Sequence, residues 1–262
     1  MLALTKRTAD DFLLVAGCRA AAAIALLGVR REQPVAEAAV TSSLDELLAG
    51  IRFVYKTKLI LATITLDLFA VLLGGCAYLL PVFAADILNV GPVGLGALPS
   101  AEAVGAIAMA FLLTHLPPMR RAGHTLLWSV AAFGLGTIVF GLSRWFALSL
   151  AMMFLLGAVD NISVVVRHTL VQMLTPDAMR GRVSAVNNIF IVSSNHLGGF
   201  ESGLVARFFG PVVSVVSGGI GTILVVFGAM KLWPEILQIG SLKDVRPHDP
   251  LDADLAQSPE TL

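Results

Sequence analysis

Long apolar runs, separated by short connections that contain proline and charged residues, dominate the chain from residue 59 onward. Each run approaches the roughly 20 residues that an α-helix needs to cross a hydrocarbon core of about 30 Å. None alternates with a period of two, and lipid accommodates only helices or closed barrels. The pattern therefore predicts an all-α membrane protein with six transmembrane helices, at about 59–80, 93–116, 124–142, 146–166, 183–204 and 211–230.

The basic residues are distributed unevenly among the connections between these runs. Of the first, third and fifth connections, the first holds no basic residue, the third only Arg144 and the fifth only Arg207. The other connections and the bundle ends contain Arg52, Lys56, Lys58, Arg120, Arg121, Arg167, Arg180, Arg182, Lys231, Lys243 and Arg246. Because Lys and Arg favour cytoplasmic connections, both ends of the six-helix bundle are predicted to be cytoplasmic. The protein is then a multi-pass protein of the cell inner membrane.

Two further segments flank the bundle. Residues 43–56 have apolar side chains at helical spacing, which predicts an amphipathic helix on the cytoplasmic leaflet. Residues 12–29 are apolar but interrupted by Arg19, and we interpret them as the remnant of another spanning helix. The resulting division is a remnant helix and linker at 1–41, a connector helix at 42–58, the bundle at 59–231 and a disordered cytoplasmic tail at 232–262.

Composition agrees with a protein that is immersed in lipid. The chain is 56% hydrophobic and 14% charged, with a mean hydropathy of +0.84, whereas soluble domains carry about 25% charged residues. Lys plus Arg and Asp plus Glu number 18 each, which gives no basic surface for nucleic acid. The two cysteines lie in apolar runs and predict neither a disulfide framework nor a metal site.

Four acidic residues fall inside predicted spans, and three of them, Asp67, Glu102 and Asp160, are candidate groups of a proton or substrate pathway. The fourth, Glu201, lies close to the outer end of its span and is interpreted as an interfacial residue. A charge at the centre of a spanning helix costs about 2.5–3.5 kcal/mol, so each should face protein or water. The predicted spans that carry them contain no Lys or Arg, and we expect unpaired carboxyl groups that take up protons. Hydrogen bonding to neighbouring helices is the alternative, and Asp160 could instead pair with Arg180 or Arg182.

The fifth span is the most polar, with the run NNIFIVSSNHLGG. Asn195 and His196 are candidate pathway residues on this helix, and hydrogen bonds between helices are the alternative. Small residues at four-residue spacing let helices approach closely. Gly199 and Gly203 on the fifth span, and Gly218 on the sixth, are therefore predicted packing positions.

Charged residues mark the predicted cytoplasmic ends of several spans. The candidate topology anchors are Asp177, Arg180, Arg182, Arg120 and Arg121. Thr175 is expected to cap the helix that follows it. A second hypothesis for the same residues is a cytoplasmic latch, in which Arg180 or Arg182 reaches Asp160 when the inner side closes.

Signatures of membrane enzymes are missing from the sequence. It contains no His-Glu-x-x-His or Gly-x-Ser-x-Gly motif and no phosphate-binding glycine loop. The residues GAVD that end at Asp160 lack the second glycine of the Gly-x-Gly-Asp motif of intramembrane aspartyl proteases. We therefore predict no catalytic residue, no metal ligand, no cofactor and no enzymatic activity.

The stretches DLFAVLLGGCAYLLPVFAADIL, QMLTPDAMRGRVSAVNNIF and SNHLGGFESGLVARFFGPV carry a resemblance to a known family. Over residues 42–236 the chain resembles the C-terminal half of a major facilitator superfamily transporter, and it is most similar to the bacterial enterobactin-exporter-like group. The resemblance implies half of a twelve-helix fold that works by alternating access. It also implies two inverted three-helix repeats within the bundle.

The resemblance further implies a function. The chain is expected to be the C-terminal half of a proton-driven efflux permease for a small amphipathic compound such as a siderophore or drug. We expect it to be truncated, and inactive unless it pairs with an N-terminal half or a second copy. The alternative is a non-transporting membrane subunit that packs against a partner through its glycine-rich helix faces.

Overall fold

The computed structural model describes Gly17 and residues 19–21, 43–117 and 119–240. Within these ranges the chain is almost entirely helical and contains no β-strand. Of the predicted remnant helix at 12–29, only Gly17 and residues 19–21 are described, and they are helical. Ser43–Leu262 separates from Met1–Ser42 as a compact unit, and residues 241–262 of the predicted tail lie outside the described residues.

The main helices of the compact unit follow the predicted order. They are α1 (Ser43–Lys56), α2 (Lys58–Leu73), α3 (Gly91–His115), α4 (Ala122–Leu142), α5 (Phe146–Leu174), α6 (Arg180–Phe209) and α7 (Pro211–Leu232). Shorter segments continue α2 as Cys76–Leu79, Leu80–Val82 and Phe83–Ile87, precede α6 as Asp177–Met179 and follow α7 as Pro234–Gln238.

Among the described residues, five segments are long and apolar enough to cross a membrane. They are Lys58–Ile87, Gly91–His115, Ala122–Leu142, Phe146–Leu174 and Pro211–Leu232. The remaining predicted span, 183–204, lies on α6, which has 30 residues and a length of about 45 Å at 1.5 Å per residue. Length and composition thus support five of the six predicted spans. The remaining span, on α6, is long enough to cross a membrane but more polar than the others.

Helix α5 continues well beyond the predicted end of its span at 166, to Leu174. No glycine or proline occurs between Gly157 and Pro176, so nothing interrupts its hydrogen bonds before the proline. The hydroxyl of Thr175 donates a hydrogen bond to the Val171 carbonyl at 2.6 Å. The prediction that Thr175 caps the following helix is therefore wrong, since its side chain bonds back into α5.

Helix α2 ends at Leu73, and the chain then continues in tighter and wider helical turns to Ile87. The interruption falls at the pair Gly74 and Gly75. A Cβ at Gly75 would lie 2.7 Å from the Ser202 hydroxyl of α6 and 3.2 Å from the Gly198 carbonyl. A larger residue at this position would require Ser202 and the α6 backbone to move slightly away from the break in α2.

The packing of the six long helices indicates two related halves. Helix α2 packs against α6 and α7, α5 packs against α3 and α4, and α2 also contacts α5. Exchanging α2–α4 for α5–α7 maps these pairs onto one another, and the α4–α7 pair onto itself. The additional packing of α6 against α7 departs from this exchange. The pattern is the one expected for two three-helix repeats.

The segments at the two ends of the bundle pack against it. On α1, Val54 is buried and the backbone at Gly50 lies against the Arg182 carbonyl of α6. After α7, Ile236 is fully buried, and the Ala122 amide at the start of α4 donates to the Gly240 carbonyl at 3.0 Å. The prediction of a disordered tail from residue 232 is therefore wrong for residues 234–240, whose apolar side chains pack against the start of α4.

Candidate functional site

Asp67 of α2 and Arg167 of α5 form an ion pair inside the bundle. Their side chains are 12% and 5% exposed, respectively. Asp67 lies about 14 Å from the start of α2, and Arg167 about 11 Å from the end of α5, at 1.5 Å per residue. The expectation that Asp67 is an unpaired carboxyl group is therefore wrong, because α5 extends far enough to bring Arg167 beside it.

Glu102 of α3 and Asp160 of α5 lie close enough for their carboxyl groups to repel each other. Both are near the middle of their helices and partly buried. Neither Glu102 nor Asp160 forms an ion pair with another described residue, in contrast to Asp67 with Arg167 and Asp177 with Arg180. These two acids, unlike Asp67, thus match the expectation of carboxyl groups without a basic partner.

Two glycines hold α3 and α5 together at the level of these acids. A Cβ at Gly157 would collide with the Glu102 carbonyl, and a Cβ at Gly105 would collide with the Phe154 carbonyl. Asp160 follows Gly157 by one helical turn, so it lies on the face of α5 near Glu102. The close approach of the two backbones places the carboxyl groups together.

A small cavity connects the ion pair to this acidic pair. It has a volume of about 20 Å³ and is lined by Asp67, Ala70, Val71, Val130, Phe133, Asp160 and Ser163. That volume holds about one water molecule, and the polar groups around it supply the hydrogen bonds that a buried water needs. Asp67 and Asp160 therefore share one polar space between α2, α4 and α5.

Arg167 is the member of this group that the sequence analysis assigned to a connection. It follows Asp160 by seven residues, which is two helical turns along one face. The absence of a helix breaker before Pro176 is the signal that would have placed it inside α5. The Nε atom of Arg167 is buried without a hydrogen-bond partner among the described residues, so the guanidinium retains a free donor.

The polar residues of α6 divide between two faces. Asn187 and Ser194 are buried, whereas Asn188 and His196 are exposed. The amide nitrogen of half-buried Asn195 donates to the Ile191 carbonyl of its own helix at 2.8 Å. Neither Asn195 nor His196 joins the acidic group, since that group lies between α2, α3 and α5.

The three predicted packing glycines have different surroundings. A Cβ at Gly218 would collide with the Leu73 carbonyl at the end of α2, and one at Gly199 would lie 3.0 Å from the Tyr78 ring. A Cβ at Gly203 would meet nothing within 4 Å among the described residues, so they supply no helix contact there and the packing role of Gly203 stays a prediction. A Cβ at Gly198, a position that the four-residue spacing did not select, would lie 2.9 Å from the Leu72 carbonyl oxygen, so α6 packs closely on α2 there.

The charged residues near the start of α6 lie far from the acidic group. Arg180 pairs with Asp177 at 2.8 Å, with side chains 52% and 87% exposed, and Arg182 donates to the Met179 sulfur at 3.5 Å. About 21 Å of helix separates Asp160 from the end of α5. The structure therefore does not form the Arg180 latch. Arg120 and Arg121 are exposed at the start of α4.

Comparisons with known proteins agree with this architecture. A model of the transmembrane secretion effector family matches residues 3–257. The enterobactin exporter EntS of Citrobacter koseri is 29% identical over 196 residues, which are 74% of this chain and 46% of that protein. EntS of Escherichia coli O1:K1 / APEC is 26% identical over 182 residues, 70% of this chain and 44% of that protein. The chain thus spans about half the length of the curated relatives that it matches.

A solved transporter has the same fold. The crystal structure of the peptide transporter POT in complex with sulfate superposes with a TM-score of 0.58 at 12% sequence identity. The match covers 75% of this chain and 42% of that protein. At this identity the likeness concerns the fold alone.

Proposed function

Because the chain belongs to the transmembrane secretion effector family of the major facilitator superfamily, we propose that it is the C-terminal half of a proton-driven efflux transporter. Its substrate is a small amphipathic compound such as a siderophore or drug. The observation that carries the coupling part of the proposal is the group formed by Asp67, Arg167, Asp160 and Glu102 in the middle of the bundle. The substrate class is supported by the enterobactin exporters among the relatives.

The transporter would be completed by a second six-helix bundle. In the most apolar 18-residue stretch of α3, only 11% is buried. The corresponding stretches of Lys58–Ile87 and α4 are 50% buried. Helix α6 exposes Asn188 and His196, and polar groups that face lipid are costly. These faces of α3 and α6 suit contact with another bundle and a water-filled path. The relatives, twice as long, support an N-terminal half or a second copy as the partner.

Glu102 and Asp160 are the proposed proton-carrying groups. A carboxyl group without a basic partner in hydrocarbon is stable in its neutral form, and becomes charged when the path opens to water. The ion pair of Asp67 with Arg167 is proposed to respond when one of these acids becomes charged. The shared cavity allows a water molecule to connect Asp160 with Asp67. Proton release on one side would thereby alter the contact between α2 and α5, the first helices of the two repeats.

The proposed location is the inner membrane, with both ends of the six-helix bundle in the cytoplasm. The exposed residues Arg120, Arg121 and Arg180 lie at helix ends that would then face the cytoplasm. Arg144 would mark the opposite side. The positive-inside rule supports this orientation. Asp177 and Arg182 would act with Arg180 as anchors for α6.

Proton-driven efflux in vesicles tests the proposal. The chain would be reconstituted alone and together with the N-terminal half of the Citrobacter koseri exporter, and the flux of enterobactin and of a cationic dye would be measured under an imposed pH gradient. We expect flux in the combined sample that collapses when the gradient is removed. The absence of gradient-driven flux of either compound in both samples would overturn the proposal.

A pair of variants ties the flux to the acidic group. Glu102→Gln removes a proposed proton carrier, while Asp177→Asn removes an exposed acid at a helix end. We expect the first variant to lose gradient-driven flux and the second to retain it. Equal flux in both variants would refute the role of Glu102 in coupling.

A further inference from the structure

A groove between α4 and α7 is lined by none of the four residues of the acidic group. Its volume is about 370 Å³, within the range of roughly 300–1,000 Å³ typical of ligand pockets. Its lining includes His124, Trp128, Ala131, Phe227, Met230 and Leu237. Trp128 and Phe227 are 74% and 63% exposed. Both helices that form the groove are apolar enough to cross a membrane, so in a bilayer the groove opens directly to lipid.

The groove's lining includes the polar residue His124, and two basic residues lie next to lining residues along the helices. The Nδ1 atom of His124 is buried without a hydrogen-bond partner among the described residues. Arg121 lies one turn before His124, and Lys231 directly follows the lining residue Met230; both are exposed. The adjoining segment Pro234–Gln238 contributes one acid, Glu235. The basic residues of these segments therefore outnumber the acid.

The amide groups at the start of α4 are already occupied. Those of Ala122 and Gly123 donate to the Gly240 and Ile239 carbonyls, at 3.0 and 3.4 Å. An anion beside His124 would accordingly interact with side chains rather than with the helix N-terminus. The available side chains are Arg121, His124 and Lys231.

We propose that this groove binds one anionic phospholipid of the surrounding bilayer. An acyl chain lies along Trp128 and Phe227, and the phosphate lies beside Arg121 and Lys231, within reach of His124. An apolar groove that opens to hydrocarbon is filled by lipid tails, and basic residues beside it select a negatively charged headgroup. The groove is separate from the transport path, so this site does not depend on the proposed function.

Tryptophan quenching tests the site in the intact chain, which contains three tryptophans. A variant that keeps only Trp128 (Trp145→Phe, Trp233→Phe) would be placed in phosphatidylcholine bilayers with equal fractions of brominated phosphatidylglycerol or brominated phosphatidylethanolamine. We expect stronger quenching by phosphatidylglycerol, with an affinity preference of about fivefold for each basic residue involved. Equal quenching by the two lipids would overturn the proposal.

Trp145 provides the matched control. It is 77% exposed and lies beyond the other end of α4, outside the groove. A variant that keeps only Trp145 and lacks the neighbouring basic residue (Trp128→Phe, Trp233→Phe, Arg144→Gln) should show no preference between the two brominated lipids. The same preference at Trp145 as at Trp128 would indicate a general attraction to the protein surface and would contradict a site in the groove.

Further changes in the variant that keeps only Trp128 separate the headgroup from the acyl chain. Lys231→Gln should reduce the phosphatidylglycerol preference about fivefold, while Lys231→Arg and the distant Arg144→Gln preserve it. Ala131→Leu fills the groove and should reduce quenching by both lipids, with an unchanged circular dichroism spectrum. A preference that survives in the double variant Arg121→Gln/Lys231→Gln would refute the assigned phosphate position.

Discussion

Arg167 and Asp67 join the first helices of the two three-helix repeats by an ion pair that is almost completely removed from solvent, with side chains 5% and 12% exposed. A buried pair is sensitive to the loss of either member, because the remaining charge is left without compensation. The pair also lies beside the cavity that Asp160 lines. It is therefore positioned to link the packing of α2 against α5 with the protonation of neighbouring acids.

Removing one member of this pair should destabilise the bundle strongly. We expect Asp67→Asn to lower the free energy of unfolding by about 3–5 kcal/mol, because Arg167 is left charged and buried. Adding Arg167→Gln should restore part of that loss. Reversible chemical unfolding in detergent micelles measures both effects. As a control, Asp177→Asn breaks an exposed pair and should change stability by about 1 kcal/mol or less; an equally small change for Asp67→Asn would contradict burial of the pair.

The two acids without a basic partner should affect coupling more than stability. We expect Asp160→Asn to abolish the dependence of efflux on the pH gradient, because an amide does not release a proton. Its stability should change little, because an amide resembles the neutral carboxyl group that is proposed for the buried state. Flux in reconstituted vesicles and unfolding in micelles provide the two measurements. Glu201→Gln, on α6, is the matched control, and a gradient response in Asp160→Asn like that of the control would count against the assignment.

The close contact of α3 with α5 should not tolerate a methyl group. In Gly157→Ala the added Cβ would collide with the Glu102 carbonyl, and overpacking of this kind costs about 1–3 kcal/mol. The same change at Gly203 meets nothing within 4 Å and should be neutral or stabilising by up to about 1 kcal/mol. Thermal unfolding of the two variants compares these positions, and equal midpoints would contradict the packing described here.

Orientation can be measured from single reporter cysteines in a variant that carries Cys18→Ser and Cys76→Ser. We expect Arg144→Cys to react with a membrane-impermeant maleimide in intact cells, and Ala178→Cys to react only after the membrane is opened. Both positions are exposed. The reverse labelling pattern would show that the bundle has the opposite orientation.

Most of the helices can be located from the sequence, but several of their limits cannot. Apolar runs predicted the positions of α2, α3, α4 and α7, because bilayer thickness imposes a minimum length on each. The end of α5 was wrong, since hydropathy falls at Arg167 although the helix continues to Leu174. Arg167 lowers local hydropathy, yet inside the bundle its charge is compensated by Asp67.

Candidate acids were likewise identified from sequence, but their grouping was not. Asp67, Glu102 and Asp160 stand out because charges are rare in apolar runs. Nothing in the chain order reveals that Asp67 pairs with Arg167, or that Gly157 brings Asp160 towards Glu102. Spacing also selected Gly203 for packing, whereas Gly198 makes the backbone contact with α2.

The sequence by itself thus determined the all-helical membrane architecture, the family resemblance and the presence of costly intramembrane acids. All three depend on local composition and on short motifs. Tertiary structure alone decided which acid is compensated, which acids lie close together, and which residues of α4 and α7 form a groove. These properties depend on distances between helices that are far apart in the chain, because electrostatic and packing energies follow separation in space.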